Sequence, residues 1–128
     1  MKYVYAVAAM AALATPAFAA DTMSSLPPDS WTITNYYKRN VYDKGQNTVG
    51  KIDDLLIDKS GKITALMVGV GGFLGMGEKD VALLFTAVHS EKKDNKWYLT
   101  VDETKDSLKS AAGYKYDSST TTWSPDNK

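Results

Sequence analysis

The sequence predicts an all-β fold: a small barrel or rolled sheet of five or six short strands, with one short helix near the carboxyl end. Turn clusters rich in Asp, Lys and Gly divide the chain into short segments. Between the turns lie continuous apolar runs or segments that alternate between apolar and polar residues, as strands do. No regular alternation of strands with long helical segments is present, which argues against a parallel α/β sheet. With 128 residues, the chain is long enough for one domain.

Five segments are predicted strands, and turn chemistry separates them. In chain order they are Tyr36–Tyr42, Val49–Ile57, Ile63–Val70, Val81–Phe85 and Trp97–Val101. The turn cluster Asp58–Lys62 contains a glycine that can adopt a positive φ, so the strands on either side of it are predicted to form a hairpin. The polar segment Glu91–Lys96 is predicted to be the turn that leads into the last strand.

A single helix is predicted after the last strand. Asp102 is a suitable N-cap, and Leu108, Ala111 and Ala112 share one face at helical spacing. Gly113 is a suitable residue to end the helix.

The amino terminus has the three parts of an export signal. Lys2 supplies a positive charge, Val4–Ala14 is an uncharged and mostly apolar run of 11 residues, and Ala17–Ala19 has the small-x-small pattern of a cleavage site. The apolar run is shorter than the roughly 20 residues that span a bilayer. We therefore expect residues 1–19 to be a signal peptide and the mature chain to begin near Ala20. The expected location is periplasmic or secreted, with no stable membrane insertion after cleavage.

The rest of the chain divides into three parts. Residues 20–30 are polar, carry the tandem prolines Pro27 and Pro28, and are predicted to be a linker. Residues 31–117 contain all the predicted strands and form the predicted domain. Residues 118–128 are rich in Ser and Thr and are predicted to be a flexible polar tail.

The composition argues against several functions. The 15 basic and 15 acidic side chains balance, whereas nucleic-acid binders usually carry a basic surplus. The chain has no Cys, which excludes disulfides, thiolate metal sites and thiol catalysis, and its single His cannot form a His-based metal cluster. We expect no nucleic-acid partner, no cofactor and no such metal site.

Glycines are concentrated in the segment Val68–Asp80 (VGVGGFLGMGEKD). A dinucleotide-binding fingerprint that starts at Gly69 requires a third glycine at position 74, where the chain has Leu74. A Walker A loop that starts at Gly72 requires Lys at position 78, where the chain has Glu78. Neither nucleotide-binding pattern is met, so the segment is predicted to be a bulged connection between strands.

Two glycines and three large apolar residues of this segment have predicted roles. Gly71 and Gly72 are predicted to be structural, because they hold a bend that a side chain cannot occupy. Phe73 and Met76 are predicted to form part of a partner surface, since strand connections usually run over the surface and exposed apolar clusters mark docking sites. Leu74 is predicted to turn inward and plug one end of the barrel.

The carboxylates do not follow a known metal-binding pattern. Asp53, Asp54 and Asp58 surround the first hairpin, and Glu78 and Asp80 follow the glycine segment. An EF-hand loop started at Asp54 lacks both the oxygen ligand at its third position and the glycine at its sixth. Adjacent residues on a strand point to opposite faces, so Asp53 and Asp54 act together only where a bulge intervenes. Solvated surface charge is therefore the favoured interpretation.

A catalytic site is not predicted. His89 is followed by Ser90 and Glu91, but catalytic triads are assembled from distant parts of a chain rather than from neighbouring residues. The sequence also lacks the G-x-S-x-G turn that would expose a nucleophilic serine. We expect that the protein is not an enzyme.

Residues Thr48–Phe85 resemble the PRC-barrel domain family, which is named after the H subunit of the photosynthetic reaction centre. The VGKIDDLLIDKSGKI hairpin, the apolar strand after it and the GGFLGMGEKDVA segment carry the resemblance. Val41–Asp43 is similar to the family's opening piece and Leu108–Asp117 to its close. The family usually has Pro near the end of the VALLF-like strand, where this chain has Phe85–Thr86.

The resemblance implies a compact six-stranded β-barrel and little chemistry. Family members include the reaction-centre H subunit, which supports a membrane complex, and a ribosome-maturation factor that docks on a ribosomal protein. We therefore expect a non-catalytic binding or assembly module that docks a protein partner or associates with itself. The alternative is a barrel that binds a small ligand or cation at the acidic hairpin formed by Asp53, Asp54 and Asp58. An enzyme of unrecognised type ranks third.

Overall fold

The computed structural model describes residues 21–73 and 77–126, with only the backbone described for Gly72 and Phe73. The chain divides into two units between Trp31 and Thr32. In the first unit, residues 21–31 contain no strand, and the hydroxyl of Ser30 donates a hydrogen bond of 2.6 Å to the carbonyl of Pro27. Within the described residues, no helix combines the length and the hydropathy that crossing a membrane would require.

The second unit is built on one mixed sheet of eight strands. The strands are β1 (Asn40–Tyr42), β2 (Thr48–Ile57), β3 (Ile63–Phe73), β4 (Gly77–Leu84), β5 (His89–Lys93), β6 (Lys96–Thr100), β7 (Tyr114–Asp117) and β8 (Thr122–Pro125). Their spatial order is β5-β6-β1-β2-β3-β4-β7-β8. All neighbouring pairs are antiparallel except β1 and β6, which are parallel. Short 3₁₀ turns cover Ile33–Asn35, Phe85–Ala87 and Ser107–Ser110.

Residues 66–70 of the central strand β3 are all buried, so the strand is covered there on both faces of the sheet. One face packs into the core, whose members are Tyr36, Val41, Val49, Ile52, Leu66, Val68, Val70, Val81, Leu83, Leu99, Val101 and Leu108. Because strand side chains alternate between faces, Ala65, Met67 and Gly69 lie on the opposite side of β3. We call the side of the sheet away from the core the outer face.

Two irregularities in strand pairing shape the outer face. In β2, the register shifts between Ile52 and Asp54, so Asp53 is an extra residue in the ladder with β3. In β3, the register shifts between Val70 and Phe73, which confirms the bulge predicted in the glycine-rich segment. Asp53 follows the core residue Ile52, so alternation turns it to the outer face, and the bulge lets the next residue, Asp54, opposite Met67, point to the same side.

The prediction of a six-stranded closed barrel is wrong, although the all-β class is confirmed. The described residues form an open sheet of eight strands with β5 and β8 at its edges. Residues 91–93 of the predicted turn Glu91–Lys96 belong to edge strand β5, which is exposed throughout. A strand with no buried side chains has no apolar alternation, so its sequence looks like a loop. The turn itself is Asp94–Asn95, with φ of 51° and 65°, as a two-residue hairpin turn requires.

The predicted helix after Asp102 is also wrong. The structure has only a 3₁₀ turn over Ser107–Ser110, and Ala111 is already extended, with ψ of 152°. The ammonium group of Lys79, from β4, donates to the carbonyls of Lys109 and Ala111 at 2.5 and 2.7 Å. These two carbonyls are therefore satisfied from another strand rather than by a continuing helix.

The predicted flexible tail, residues 118–128, contains strand β8. Trp123 of this strand donates a hydrogen bond from Nε1 to Oδ2 of Asp54 at 2.8 Å, across 69 positions of sequence. Its ring also meets the ring of Tyr116 edge-on, with centroids 5.8 Å apart. These contacts attach a Ser- and Thr-rich segment that has no apolar run of its own.

Gly71 and Gly72 lie in the bulge of β3, between Val70 and Phe73. Among the described residues, no atom lies within 4 Å of a Cβ placed on Gly71, and its φ is outside the left-handed region, so the structural role of the two glycines stays a prediction. The tight position is Gly50 on β2, where a Cβ would lie 2.5 Å from the carbonyl oxygen of Gly69 and 2.8 Å from a methyl group of Val68.

We predict that Gly50→Ala destabilises the protein by about 2 kcal/mol, because the new methyl group forces β2 away from β3. Gly71→Ala is the matched control in the neighbouring strand and is expected to change the free energy of unfolding by less than about 0.5 kcal/mol. Urea denaturation followed by circular dichroism measures both. Equal effects at the two positions would show that the close approach of the strands at Gly50 does not constrain the fold.

Candidate functional site

Three carboxyl groups converge on the outer face. Asp53, Glu78 and Asp80 each place an oxygen within 4.8 Å of an oxygen of the other two. Asp53 comes from β2, and the other two come from β4, two residues apart and therefore on the same side of that strand. We call this group the carboxyl cluster.

A glycine of β3 makes room for the carboxyl cluster. Gly69 lies directly opposite Asp80 in the antiparallel ladder. A Cβ on Gly69 would stand 2.7 Å from Oδ2 of Asp53 and 2.9 Å from Oε1 of Glu78. Any side chain at this position would therefore displace the carboxylates, so the absence of one is a condition for the cluster.

The environment of Asp80 favours its protonated form. Burial, a hydrogen bond with Asp53 and the negative charges of Asp53 and Glu78 raise the pKa of Asp80 to about 7. Its Oδ1 is fully buried and has no hydrogen-bond partner. A cation stands nearby, since Lys38 Nζ lies 3.8 Å from Oδ1 of Asp53, but this pair is largely exposed and neutralises the cluster only weakly.

The cluster has two chemical uses. Two carboxyl groups in contact share a proton, because both cannot easily be ionised at once. Three carboxylates with converging oxygens also match the ligand preference of a hard cation such as Ca²⁺ or Mg²⁺. The proton and the cation would compete for the same oxygens.

The acidic hairpin of the sequence prediction does not converge. Asp54 accepts the hydrogen bond from Trp123. Asp58 accepts from the hydroxyl of Ser60 at 2.6 Å and from two backbone N–H groups of its own turn, which lowers its pKa. Of the three residues proposed from the hairpin, only Asp53 lies in the carboxyl cluster.

The sequence contains only part of the information needed to predict the carboxyl cluster. Glu78 and Asp80 are two residues apart, which places them on one face of a strand. The pairing of Gly69 with Asp80 and the bulge at Asp53 depend on strand register, and no local pattern in the sequence specifies it. The convergence of the three carboxyl groups therefore cannot be predicted from the sequence alone.

Apolar side chains occupy another part of the outer face. Leu56, Ala65 and Leu84 lie opposite one another on β2, β3 and β4, and Ile57 lies opposite Ile63. We call these five residues, together with Tyr116, the outer apolar surface. Its exposed members are Ile57 at 59%, Leu84 at 67% and Tyr116 at 51%. Ile57 and Tyr116 also line a groove of about 420 Å³ between β2 and the β7–β8 hairpin.

Five other residues named in the sequence analysis lie elsewhere or outside the described part of the chain. Leu74 and Met76 fall outside the described residues, and the side chain of Phe73 is not described. His89 is exposed at the start of β5, and its neighbour Ser90 points to the opposite side of that strand. These two side chains do not converge.

The raised pKa of Asp80 predicts a stability that falls as pH rises. Its pKa is about 7 in the folded protein against 3.8 in an unperturbed chain, so the folded state binds more protons between these values. Allowing for screening at a partly exposed site, we expect the free energy of unfolding to fall by about 1–3 kcal/mol between pH 5 and pH 8.

Asp80→Asn tests this prediction by keeping the shape without the charge. The variant should lose the pH slope and be more stable than the wild type at pH 8, as measured by urea denaturation at several pH values. Asp102→Asn is the control, because that side chain is 69% exposed. A wild-type slope that survives in Asp80→Asn would assign the pH dependence to other groups.

Comparison with known proteins identifies the fold family. No curated protein matches the sequence. The family model described as PRC-barrel domain matches residues 29–108, which are 80 of the 128 residues. The match covers β1 to β6 and ends before β7 and β8. The resemblance found in the VGKIDDLLIDKSGKI hairpin and the GGFLGMGEKDVA segment is confirmed: the chain belongs to the PRC-barrel domain family.

Proposed function

We propose that this protein is a non-catalytic PRC-barrel module that acts outside the cytoplasm by docking a protein partner or a second copy of itself. The observation that carries the proposal is the outer apolar surface, where Ile57, Leu84 and Tyr116 are each at least half exposed. Contiguous exposed apolar side chains on an otherwise polar domain usually mark an interaction site.

The strand register supports the proposal by making these residues neighbours. Leu56, Ala65 and Leu84 stand in one row across three strands, and side chains directly opposite in antiparallel strands are about 5 Å apart. Such a row presents a continuous patch rather than single scattered residues. The export signal expected at residues 1–19 supports a location in the periplasm or outside the cell.

The double variant Ile57→Ser, Leu84→Ser tests the docking surface. Both side chains are exposed, so we expect the fold to survive, with an unchanged circular dichroism spectrum. Sedimentation velocity of the wild type measures self-association, and capture from a periplasmic extract measures partner binding. The variant should lose the oligomer or the captured partner, because its surface no longer buries apolar area.

Two further variants accompany this experiment, one as a control and one as a test of the surface predicted from the sequence. Ile33→Ser removes an apolar side chain that is 51% exposed but lies outside the outer apolar surface, and should have no effect. Phe73→Ser, Met76→Ser tests the partner surface predicted from the sequence. If the wild type is monomeric and captures no partner, or if the Ile57 and Leu84 variant binds normally, the proposed docking role of this surface is wrong.

A second candidate function is cation binding at the carboxyl cluster. The observation in its favour is the convergence of Asp53, Glu78 and Asp80 within 4.8 Å. A divalent cation would offset the repulsion among these groups and replace the proton on Asp80, so its binding should strengthen above pH 7.

Thermal denaturation with millimolar CaCl₂ or MgCl₂, at pH 5 and at pH 8, tests cation binding. A ligand that binds only the folded state raises the melting temperature, and we expect the rise at pH 8 to exceed that at pH 5. Glu78→Gln should abolish it and Asp102→Asn should not. A rise that is equal at both pH values, or that survives in Glu78→Gln, would contradict a site at the cluster.

A further inference from the structure

A small pocket opens on the outer face where β5, β6 and β1 meet. Its volume is about 220 Å³. Since one water occupies about 30 Å³ of liquid, this is space for about seven waters, which suits a small ligand or a single headgroup. The pocket shares no lining residue with the carboxyl cluster or with the outer apolar surface.

Strand register brings the lining of the pocket together. Glu91 on β5 lies directly opposite Tyr98 on β6, and Tyr42 on β1 pairs with Thr100 on β6. Their neighbours Val41 and Leu99 are in the core. Because side chains alternate, the four lining residues point away from the core. Glu91, Tyr98, Tyr42 and Thr100 therefore form the floor of the pocket across three strands of the outer face.

Two aromatic rings form a corner of the pocket. The rings of Tyr42 and Tyr98 have centroids 5.8 Å apart and meet at 67°. Both side chains are half-buried, so the rings are held by their surroundings and yet open to the pocket. Two steeply inclined rings present negative π faces in two directions, which is the arrangement that surrounds ammonium groups in aromatic cages.

Carboxylates complete the pocket. Glu91 and Asp94 line it together with one cation, Lys93. None of the three ion pairs found in residues 21–73 and 77–126 involves Glu91 or Asp94. The hydroxyl of Thr100 lies 3.4 Å from Oε2 of Glu91 and holds that carboxylate over the floor. Two carboxylates against one ammonium leave a local charge of −1.

We propose that this pocket binds an organic ammonium group, with Tyr42 and Tyr98 as its aromatic walls and Glu91 as its counter-charge. The rings attract a cation electrostatically and shield its methyl or methylene groups from water. The carboxylate of Glu91 attracts the positive charge of the ligand, so it favours an ammonium group over an uncharged group of the same shape. Lys93 disfavours a second positive charge and suits a ligand that also carries an acidic group.

Binding of small quaternary ammonium ions tests the proposal directly. The probes are tetramethylammonium, choline and 3,3-dimethylbutanol, the uncharged analogue of choline, followed by saturation-transfer NMR and calorimetry on the full chain. We expect saturable binding of both cations and an affinity for choline about tenfold above that for its analogue. Glycine betaine, which adds a carboxylate, measures the contribution of Lys93.

Substitutions assign the binding to the pocket. Glu91→Gln should weaken choline binding about fivefold and Tyr98→Leu about tenfold, whereas Tyr98→Phe keeps the ring and should bind like the wild type. Tyr37→Leu and Glu103→Gln are the matched controls, since both lie outside the pocket. If Tyr98→Leu fails to fold, Glu91→Gln and the ring-preserving variant still decide the outcome.

Three results would overturn the proposal. The first is the absence of saturable choline binding to the wild type. The second is equal affinity for choline and its uncharged analogue, which would indicate a site for neutral ligands. The third is choline binding that is unchanged in Glu91→Gln and in every folded variant that lacks the Tyr98 ring, which would place the bound cation elsewhere on the chain.

Discussion

The close approach of β2 and β3 at two glycines is the constraint on which the rest of the sheet depends. On one side, Gly50 lets the carbonyl of Gly69 come within 2.5 Å of the position that a Cβ would take. On the other, Gly69 leaves space that the carboxylates of Asp53 and Glu78 fill. A side chain at Gly50 would push the two central strands apart, whereas a side chain at Gly69 would displace the carboxylates of Asp53 and Glu78.

This constraint explains how a sheet tolerates three carboxyl groups in one place. Partial burial of Asp80 beside Asp53 and Glu78 would be costly if all three were ionised. The pKa of Asp80, raised to about 7, shows how the cost is reduced: the site keeps a proton that an exposed aspartate would release. A proton or a cation can play the same part, so the cluster responds to pH whichever one it binds.

The sequence predicted the parts of the fold that have strong apolar patterns. The strands Val49–Ile57 and Ile63–Val70 are confirmed within β2 and β3, because their side chains alternate into a buried core. Strands β5, β7 and β8 were missed because none of them contains a buried residue. The helix expected after Asp102 failed because contacts from β4, which no local pattern reveals, satisfy the carbonyls there.

The candidate site shows the same division between local and distant information. The predicted strand began only at Val81, so the place of Glu78 and Asp80 on one face of β4 was missed, and their approach to Asp53 depends on the pairing of β2, β3 and β4. Asp58, which the sequence prediction grouped with Asp53, is not part of the carboxyl cluster, because its own turn supplies three hydrogen bonds to its carboxylate. Short-range hydrogen bonding competes with long-range convergence, and for Asp58 the nearer partners prevail.

The β7–β8 hairpin lies beyond the part of the chain that the family model matches. The family match ends at residue 108, and the hairpin begins at Tyr114. It joins the sheet through a single residue pair, Asp80 with Tyr114, and is tied back to β2 by the bond from Trp123 to Asp54. The hairpin therefore extends the sheet beside β4 and forms one wall of the groove whose other wall is β2. The groove thus combines a strand from the matched domain with a hairpin beyond it, and its shape depends on both.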